Sequence, residues 1–158
     1  MKPILPLNKS NILIKRISAE DTHAIRQAIL RPGKPIESCK FSGDDDSETF
    51  HLGLYYQKKI VAVASYMLNS NHRFSVKKQY QLRGMAVLED FKGHQLGNYL
   101  LEKGEAICLE KQVNFIWFNA REIAVNFYKR NKYKVLGGYF NIEDVGIHIL
   151  MFKDLNEN

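Results

Sequence analysis

The sequence predicts a mixed α/β fold of the α+β kind: a mostly antiparallel sheet flanked by helices, in the order β-α-β-β-β-α-β-α-β-β. Three observations predict it. Apolar or alternating runs at residues 50–56 and 60–68 sit on either side of the short polar turn Gln57-Lys58-Lys59, the pattern of an antiparallel hairpin. Residues 81–101 pass from an apolar strand through a short glycine-bearing loop into a helical pattern. Residues 134–141 and 146–153 form a second strand pair that closes the sheet. At 158 residues the whole chain, 1–158, suits one domain. Such a domain buries about two-thirds of its unfolded surface.

Taken in order, Ile-Leu-Ile-Lys-Arg-Ile at 12–17 reads as the first strand. Ser18-Ala19-Glu20-Asp21 makes a capping-box-like start for a helix that ends before Pro32. Residues 32–48 are rich in Gly, Pro, Ser and Asp and read as a loop, and 69–79 as a polar loop before the strand at 80–88. Leu96, Leu100, Gly104, Ile107 and Cys108 recur at helical spacing, as a stripe buried against a sheet. A short buried strand is expected at 113–118 and a helix at about 122–131. No repeat, linker or low-complexity tract interrupts the chain.

Apolar residues make up 45% and charged residues 25%, the balance of a globular protein rather than a disordered one. The first nine residues lack the continuous apolar core of a signal peptide, and no apolar run is long enough to cross a bilayer, so a cytoplasmic location is expected. Cys39 and Cys108 lack metal or redox spacing; Cys108 is expected in the core and Cys39 as a free surface thiol in a polar loop. Five scattered histidines show neither HxH nor HExxH spacing, so no metal is expected. The net charge of +6 attracts anions without naming one. No helix-turn-helix, zinc-finger or RNA-recognition pattern accompanies it, which leaves nucleic-acid binding as a minor alternative.

The strand, loop and helix of 81–101 carry the clearest chemistry. Glycines permit tight turns, and the N–H groups that begin a helix have no intrahelical partner and face an anion with the positive end of the helix dipole behind them. The loop Lys92-Gly93-His94-Gln95-Leu96-Gly97 resembles the acyl-CoA-binding motif Gln/Arg-x-x-Gly-x-Gly/Ala of the GNAT acetyltransferase superfamily. Lys92 stands where Gln or Arg is usual, Gln95 where the first Gly is usual, and Gly97 fits. A second segment, residues 121–133, resembles the downstream pattern Asn-x-x-Ala-x-x-Leu/Phe-Tyr-x-x-x-Gly-Phe through Ala124, Phe127, Tyr128 and Tyr133, with Arg121 and Lys132 at the usual Asn and Gly positions. Asn119-Ala120-Arg121, residues 145–151, Leu30-Arg31-Pro32-Gly33, Gly43-Asp44 and His51 are similar to an uncharacterised bacterial subgroup.

The resemblance implies the GNAT fold and transfer of an acetyl group from acetyl-CoA, as co-substrate, to an amine by direct attack in a ternary complex. It implies that backbone N–H groups at Met85, Ala86 and Val87 serve pantetheine and the oxyanion, and that Lys92, Gly93, His94, Gln95, Leu96, Gly97 and Asn98 receive the phosphates. Arg121 stands in place of the family's cofactor-side Asn, and Asn119 either takes over the role of that Asn or caps the following helix. Tyr128 matches the family's general acid, and its phenol stays protonated at neutral pH. His148 is the candidate base, with a structural role between Ile147 and Ile149 as the other reading. His51 and Arg83 are expected to border the acceptor pocket. Arg26 and Arg31 suit a substrate carboxylate if they point inward, and are otherwise exposed helix-end arginines. The acidic run Asp44-Asp45-Asp46 with Glu48 reads as solvated or as facing an ammonium group. The acceptor is a small-molecule amine or a protein lysine, and the C-terminal strand pair is of a kind that supports a homodimer. The departures at Gln95 and Arg121 motivate one alternative, a non-catalytic acyl-CoA-binding or regulatory module.

Overall fold

The computed structural model describes residues 7–157. The N-terminal segment that lacks a signal-peptide core therefore lies, through residue 6, outside the described residues. The elements are β1 (Ile12–Ile17), α1 (Ala19–Leu30), β2 (Phe50–Tyr56), β3 (Lys59–Leu68), β4 (Tyr80–Val87), α2 (Leu96–Glu110), β5 (Phe115–Arg121), α3 (Val125–Arg130), β6 (Lys134–Ile142) and β7 (Gly146–Asp154). Their sequence is the expected one, and the strands form a seven-stranded sheet in the order β1-β2-β3-β4-β5-β7-β6. β4 and β5 run parallel, whereas the β1–β2, β2–β3, β5–β7 and β6–β7 pairs are antiparallel. Among the described residues no helix is long and apolar enough to cross a membrane.

Local chemistry explains the element boundaries. Ser18 Oγ accepts from the Asp21 N–H at 3.2 Å while Asp21 Oδ2 accepts from the Ser18 N–H at 3.3 Å, the reciprocal capping box expected for α1. The β2–β3 turn is two residues long, and both Gln57 and Lys58 have positive φ, the handedness that suits the twist of a hairpin. β5 begins two residues later than expected. Val113 is used instead to close α2: Gln112 takes φ +61°, and the Val113 N–H donates to the Cys108 carbonyl at 2.9 Å. The expected 122–131 helix starts as a 3-10 turn, Glu122–Ala124, before α3.

The chain groups into two compact units: the chain up to Met67 with Leu82–Ala106, and Leu68–Gln81 with the chain from Ile107 onward. In the first unit β3 is covered on both faces, which is why it reads as a continuous apolar run. Ile25 of α1 packs with Val63 of β3 and Ala86 of β4 on one face. On the other, the buried ring of Tyr66 lies directly on Gly104 of α2, where a Cβ would overlap the ring. Gly104→Ala is therefore expected to destabilise. The gain of about 1 kcal/mol in helix propensity is outweighed by overpacking, typically about 1–3 kcal/mol. A rise in the thermal midpoint of Gly104→Ala would refute this packing.

In the second unit, the β5–β7 ladder presents two faces. Phe115 and Trp117 of β5 share one with Leu150 and Phe152 of β7, and Phe74 caps the cluster. Phe118 projects to the other face, where its ring lies 4.3 Å from that of Tyr128 and 5.0 Å from that of Tyr133.

Two expectations for the 32–48 loop are corrected. Cys39 is not a surface thiol: it ends a 3-10 turn, Ile36–Cys39, and is fully buried. Asp44 is neither solvated nor open to an ammonium ligand, because it is buried against Arg26. Its neighbours Asp45, Asp46 and Glu48 are exposed, as a solvated acidic face would be.

Candidate active site

The loop between β4 and α2 is built from backbone. β4 leads into a 3-10 turn, Glu89–Phe91, and the chain then takes φ +84° at Gly93 and +64° at Gln95 before α2 starts at Leu96. The sign of φ thus alternates through Gly93, His94, Gln95 and Leu96, the arrangement that turns successive N–H groups into a concave anion nest. The helix start adds its backbone donors and dipole. Gln95 adopts the left-handed conformation that the glycine of the motif would supply, so the substitution keeps the backbone path. Lys92 pairs with Glu89 at 2.8 Å on the surface, a contact worth about 1 kcal/mol or less and easily exchanged for an anion. Met85 and Val87 are half-buried and Ala86 is buried.

A left-handed conformation costs a non-glycine residue about 1–2 kcal/mol. A glycine in exchange costs about 0.5–1 kcal/mol of backbone entropy. Gln95→Gly is thus expected to leave stability unchanged or raise it by about 1 kcal/mol, read as a urea midpoint at constant slope. A clear fall in that midpoint would contradict the left-handed backbone at Gln95.

Lys132, the other non-glycine at a family glycine position, also takes positive φ, at +70°. It closes α3 in a Schellman turn: the Lys132 N–H donates to the Lys129 carbonyl at 2.9 Å and the Tyr133 N–H to the Tyr128 carbonyl at 3.0 Å. That turn sets Tyr133 against Tyr128, ring edge to ring face at 6.0 Å. Tyr128 is thereby held among Phe118, Phe127 and Tyr133. Burial pushes its phenol well above the ordinary value, so it remains an O–H donor.

His148 is buried, and its Nδ1 lies 2.7 Å from the Gly146 carbonyl. A carbonyl only accepts, so Nδ1 donates and Nε2 is the ring nitrogen left to exchange a proton. His148 pairs across the ladder with Arg121 of β5, on the face of Trp117, whereas Tyr128 packs on Phe118. The structure therefore carries the two candidate catalytic side chains on opposite faces of the β5–β7 ladder. Asn119 is exposed and Arg121 is half-buried.

The candidates for the acceptor side meet in the first unit, in a different arrangement from that expected. Arg26 is fully buried rather than exposed at a helix end. Its Nη1 donates to Asp44 Oδ2 at 2.7 Å and to the Cys39 carbonyl at 2.7 Å, and its Nη2 to Asp44 Oδ1 at 3.0 Å and Ser65 Oγ at 2.8 Å. Burial disfavours the Asp44 carboxylate, but hydrogen bonds from Arg26 and from the Phe41 N–H outweigh it and hold the carboxyl below its usual range. His51 is buried, with Nε2 2.9 Å from the Asp44 carbonyl and Nδ1 2.6 Å from Ser65 Oγ. Nε2 therefore donates to that carbonyl, and both ring nitrogens are occupied. Sequence reasoning missed Phe41, Ser65 and the Asp44 partnership, since no local pattern links residues so far apart.

Element order and nest together define a class: an α+β protein whose β4–α2 loop is suited to a phosphate-bearing cofactor. Residues 18–133 match the family model described as Acetyltransferase (GNAT) family. The chain is 38% identical over 142 residues to the uncharacterized N-acetyltransferase YitI of Bacillus subtilis (strain 168), covering 90% of this chain and 95% of that protein. Its fold matches an acyl-CoA N-acyltransferase from Pseudomonas aeruginosa at a TM-score of 0.66 and 16% identity, over 90% of this chain and 97% of that one. It also matches the PaiA N-acetyltransferase of Thermoplasma acidophilum, solved in complex with coenzyme A, at a TM-score of 0.64 and 16% identity, over 90% and 98% of the two chains. The chain belongs to the acetyltransferase (GNAT) family. It is an enzyme that moves an acyl group from a CoA thioester to an amine.

Proposed function

We propose that this protein is a single-domain, cytoplasmic N-acetyltransferase that takes acetyl from acetyl-CoA by direct attack of a bound amine. The observation that carries the cofactor reading is the alternation of φ through Gly93, His94, Gln95 and Leu96, which survives the loss of the motif glycine. The pyrophosphate rests on residues 92–98, Lys92 through its ammonium group and the loop that follows through its N–H groups, and the N–H groups of Met85, Ala86 and Val87 serve the pantetheine and the carbonyl oxygen as it gains charge. The amine nitrogen attacks the thioester carbon, the C–S bond breaks, and the sulfur departs as thiolate.

Tyr128 donates a hydrogen bond to that sulfur. A thiol of ordinary pKa, about 8.5, lies well below a phenol raised by burial, so stabilisation of the thiolate needs no complete proton transfer. The proton lost by nitrogen leaves through water, and Nε2 of His148, on the other face of the β5–β7 ladder from Tyr128, is the candidate base that receives it at the end of that route. His148→Asn is expected to lower kcat/KM by about 10-fold or more, with acetyl-CoA affinity unchanged. Parent-like turnover would remove His148 from the mechanism.

The whole reading is tested by calorimetric titration with acetyl-CoA, with ATP as an anion control. Saturable binding in the micromolar range that ATP does not reproduce is expected. No binding, or equal binding of ATP, would overturn it.

A further inference from the structure

Three guanidinium groups in the first unit converge on one aromatic ring. The guanidinium carbon of Arg26 lies 3.9 Å from the Phe41 centroid, that of Arg83 4.5 Å and that of Arg31 5.7 Å. Only Arg26 is neutralised, by Asp44, whose carboxylate also accepts from the Phe41 N–H at 2.9 Å. Arg83 reaches the Ser42 carbonyl at 3.5 Å and Arg31 the Leu30 carbonyl at 3.1 Å. Among the described residues neither has a carboxylate partner. Guanidinium groups stay protonated at neutral pH, so three positive charges face one negative charge.

The surplus is not simply dispersed in solvent. Arg83 and Arg31 are half-buried, and burial followed by repulsion from Arg26 and Arg31 pushes the Arg83 pKa down, with Asp44 opposing. Arg26 Nε is buried with no hydrogen-bond partner, so donors outnumber acceptors at this point. β4 is pressed against the cluster: at Gly84, φ +62°, a Cβ would come within 3.0 Å of both Arg26 Nε and the Phe41 ring. Arg83 stands two residues before Met85, on the strand that carries the proposed donors to the thioester carbonyl.

We propose that Arg31 and Arg83, both set against Phe41, form an acceptor subsite for a carboxylate, so that the amine acetylated is of the amino-acid class. The proposal rests on the acetyl-transfer reading above. Arg83 supplies the planar fork that matches a carboxylate, Arg31 adds charge, and Phe41 holds both cations in place. Asp44 fixes Arg26 and so keeps the third guanidinium from competing for the ligand.

The test measures release of CoA thiol from acetyl-CoA with a panel of L-amino acids, each beside its carboxamide, for the parent, Arg83→Gln and Arg31→Gln. At least one amino acid is expected to exceed its carboxamide in kcat/KM by about 10- to 100-fold, the worth of a charge-assisted hydrogen-bond pair. Each substitution is expected to erase most of that preference while acetyl-CoA affinity by calorimetry stays at the parent value. Carboxamides or simple alkylamines that serve as well as the acids, or a preference that survives both substitutions, would overturn the subsite and leave acetyl transfer standing. If no amine is acetylated, the protein–CoA complex is heated with N-acetyl amino acids or their amides. A midpoint raised only by the acids, and not in Arg83→Gln, would uphold the subsite and reject the transfer reading. No rise with either would reject the subsite as well.

Discussion

Asp44→Asn is expected to lose about 3–5 kcal/mol of stability, the cost of leaving one member of a buried ion pair without its partner. Arg26 is fully buried and its Nη groups have no route to water, so the charge that Asp44 neutralises cannot be rehydrated by a small shift. The same carboxylate anchors the Phe41 N–H, so the loss extends from α1 to the connecting loop. For a domain of this size about 1 kcal/mol moves the midpoint by about 2–4 °C, which puts the expected fall near 10 °C. Asp45→Asn, one residue on and exposed, is the control and should stay within about 0.5 kcal/mol. A midpoint for Asp44→Asn equal to that control would show that the pair is not formed in solution. The sign with pH follows from the carboxyl being held below its usual range. Its stabilisation is complete above the unfolded carboxyl value of about 3.9. It is lost as pH falls through the lower value of the folded state.

Tyr128→Phe is expected to lower kcat by about 10- to 100-fold while acetyl-CoA affinity and the thermal midpoint stay near the parent values. The substitution keeps the ring on Phe118 and removes only the hydroxyl, so a role confined to packing would leave turnover intact. The magnitude follows from a hydrogen bond to a charged group, about 1.5–3 kcal/mol. Burial that raises the phenol pKa works against complete proton transfer to a thiolate. A fall beyond about 10³-fold would mean that the proton is transferred. Equal turnover in mutant and parent would remove Tyr128 from the chemistry.

The two side chains differ in how far the sequence reveals them. Tyr128 is legible because its motif is local: Ala124, Phe127, Tyr128 and Tyr133 lie within one short helix and its closing turn. The β4–α2 loop is legible for the same reason, and the left-handed φ at Gln95 and Lys132 shows that the backbone pattern outlasts the glycines that usually mark it. The Arg26–Asp44 pair is not legible, since 18 residues and a loop separate its members and each reads as ordinary surface charge. Nor does the sequence show that Tyr128 and His148 are carried on opposite faces of the β5–β7 ladder, because that depends on the register in which Arg121 meets His148.

The sequence by itself determined the order of elements, the capping of α1, the β2–β3 hairpin and the family. All of these are written in residues a few positions apart, where periodicity, caps and turn chemistry act. Only the tertiary structure decided which charges are buried, that Cys39 is inside, that His51 is held by Ser65 and Asp44, and that Arg31 and Arg83 share Phe41 with Arg26. Those outcomes depend on desolvation and on pairing between distant segments, and a polar residue's environment is fixed only when the chain folds back to supply its partner.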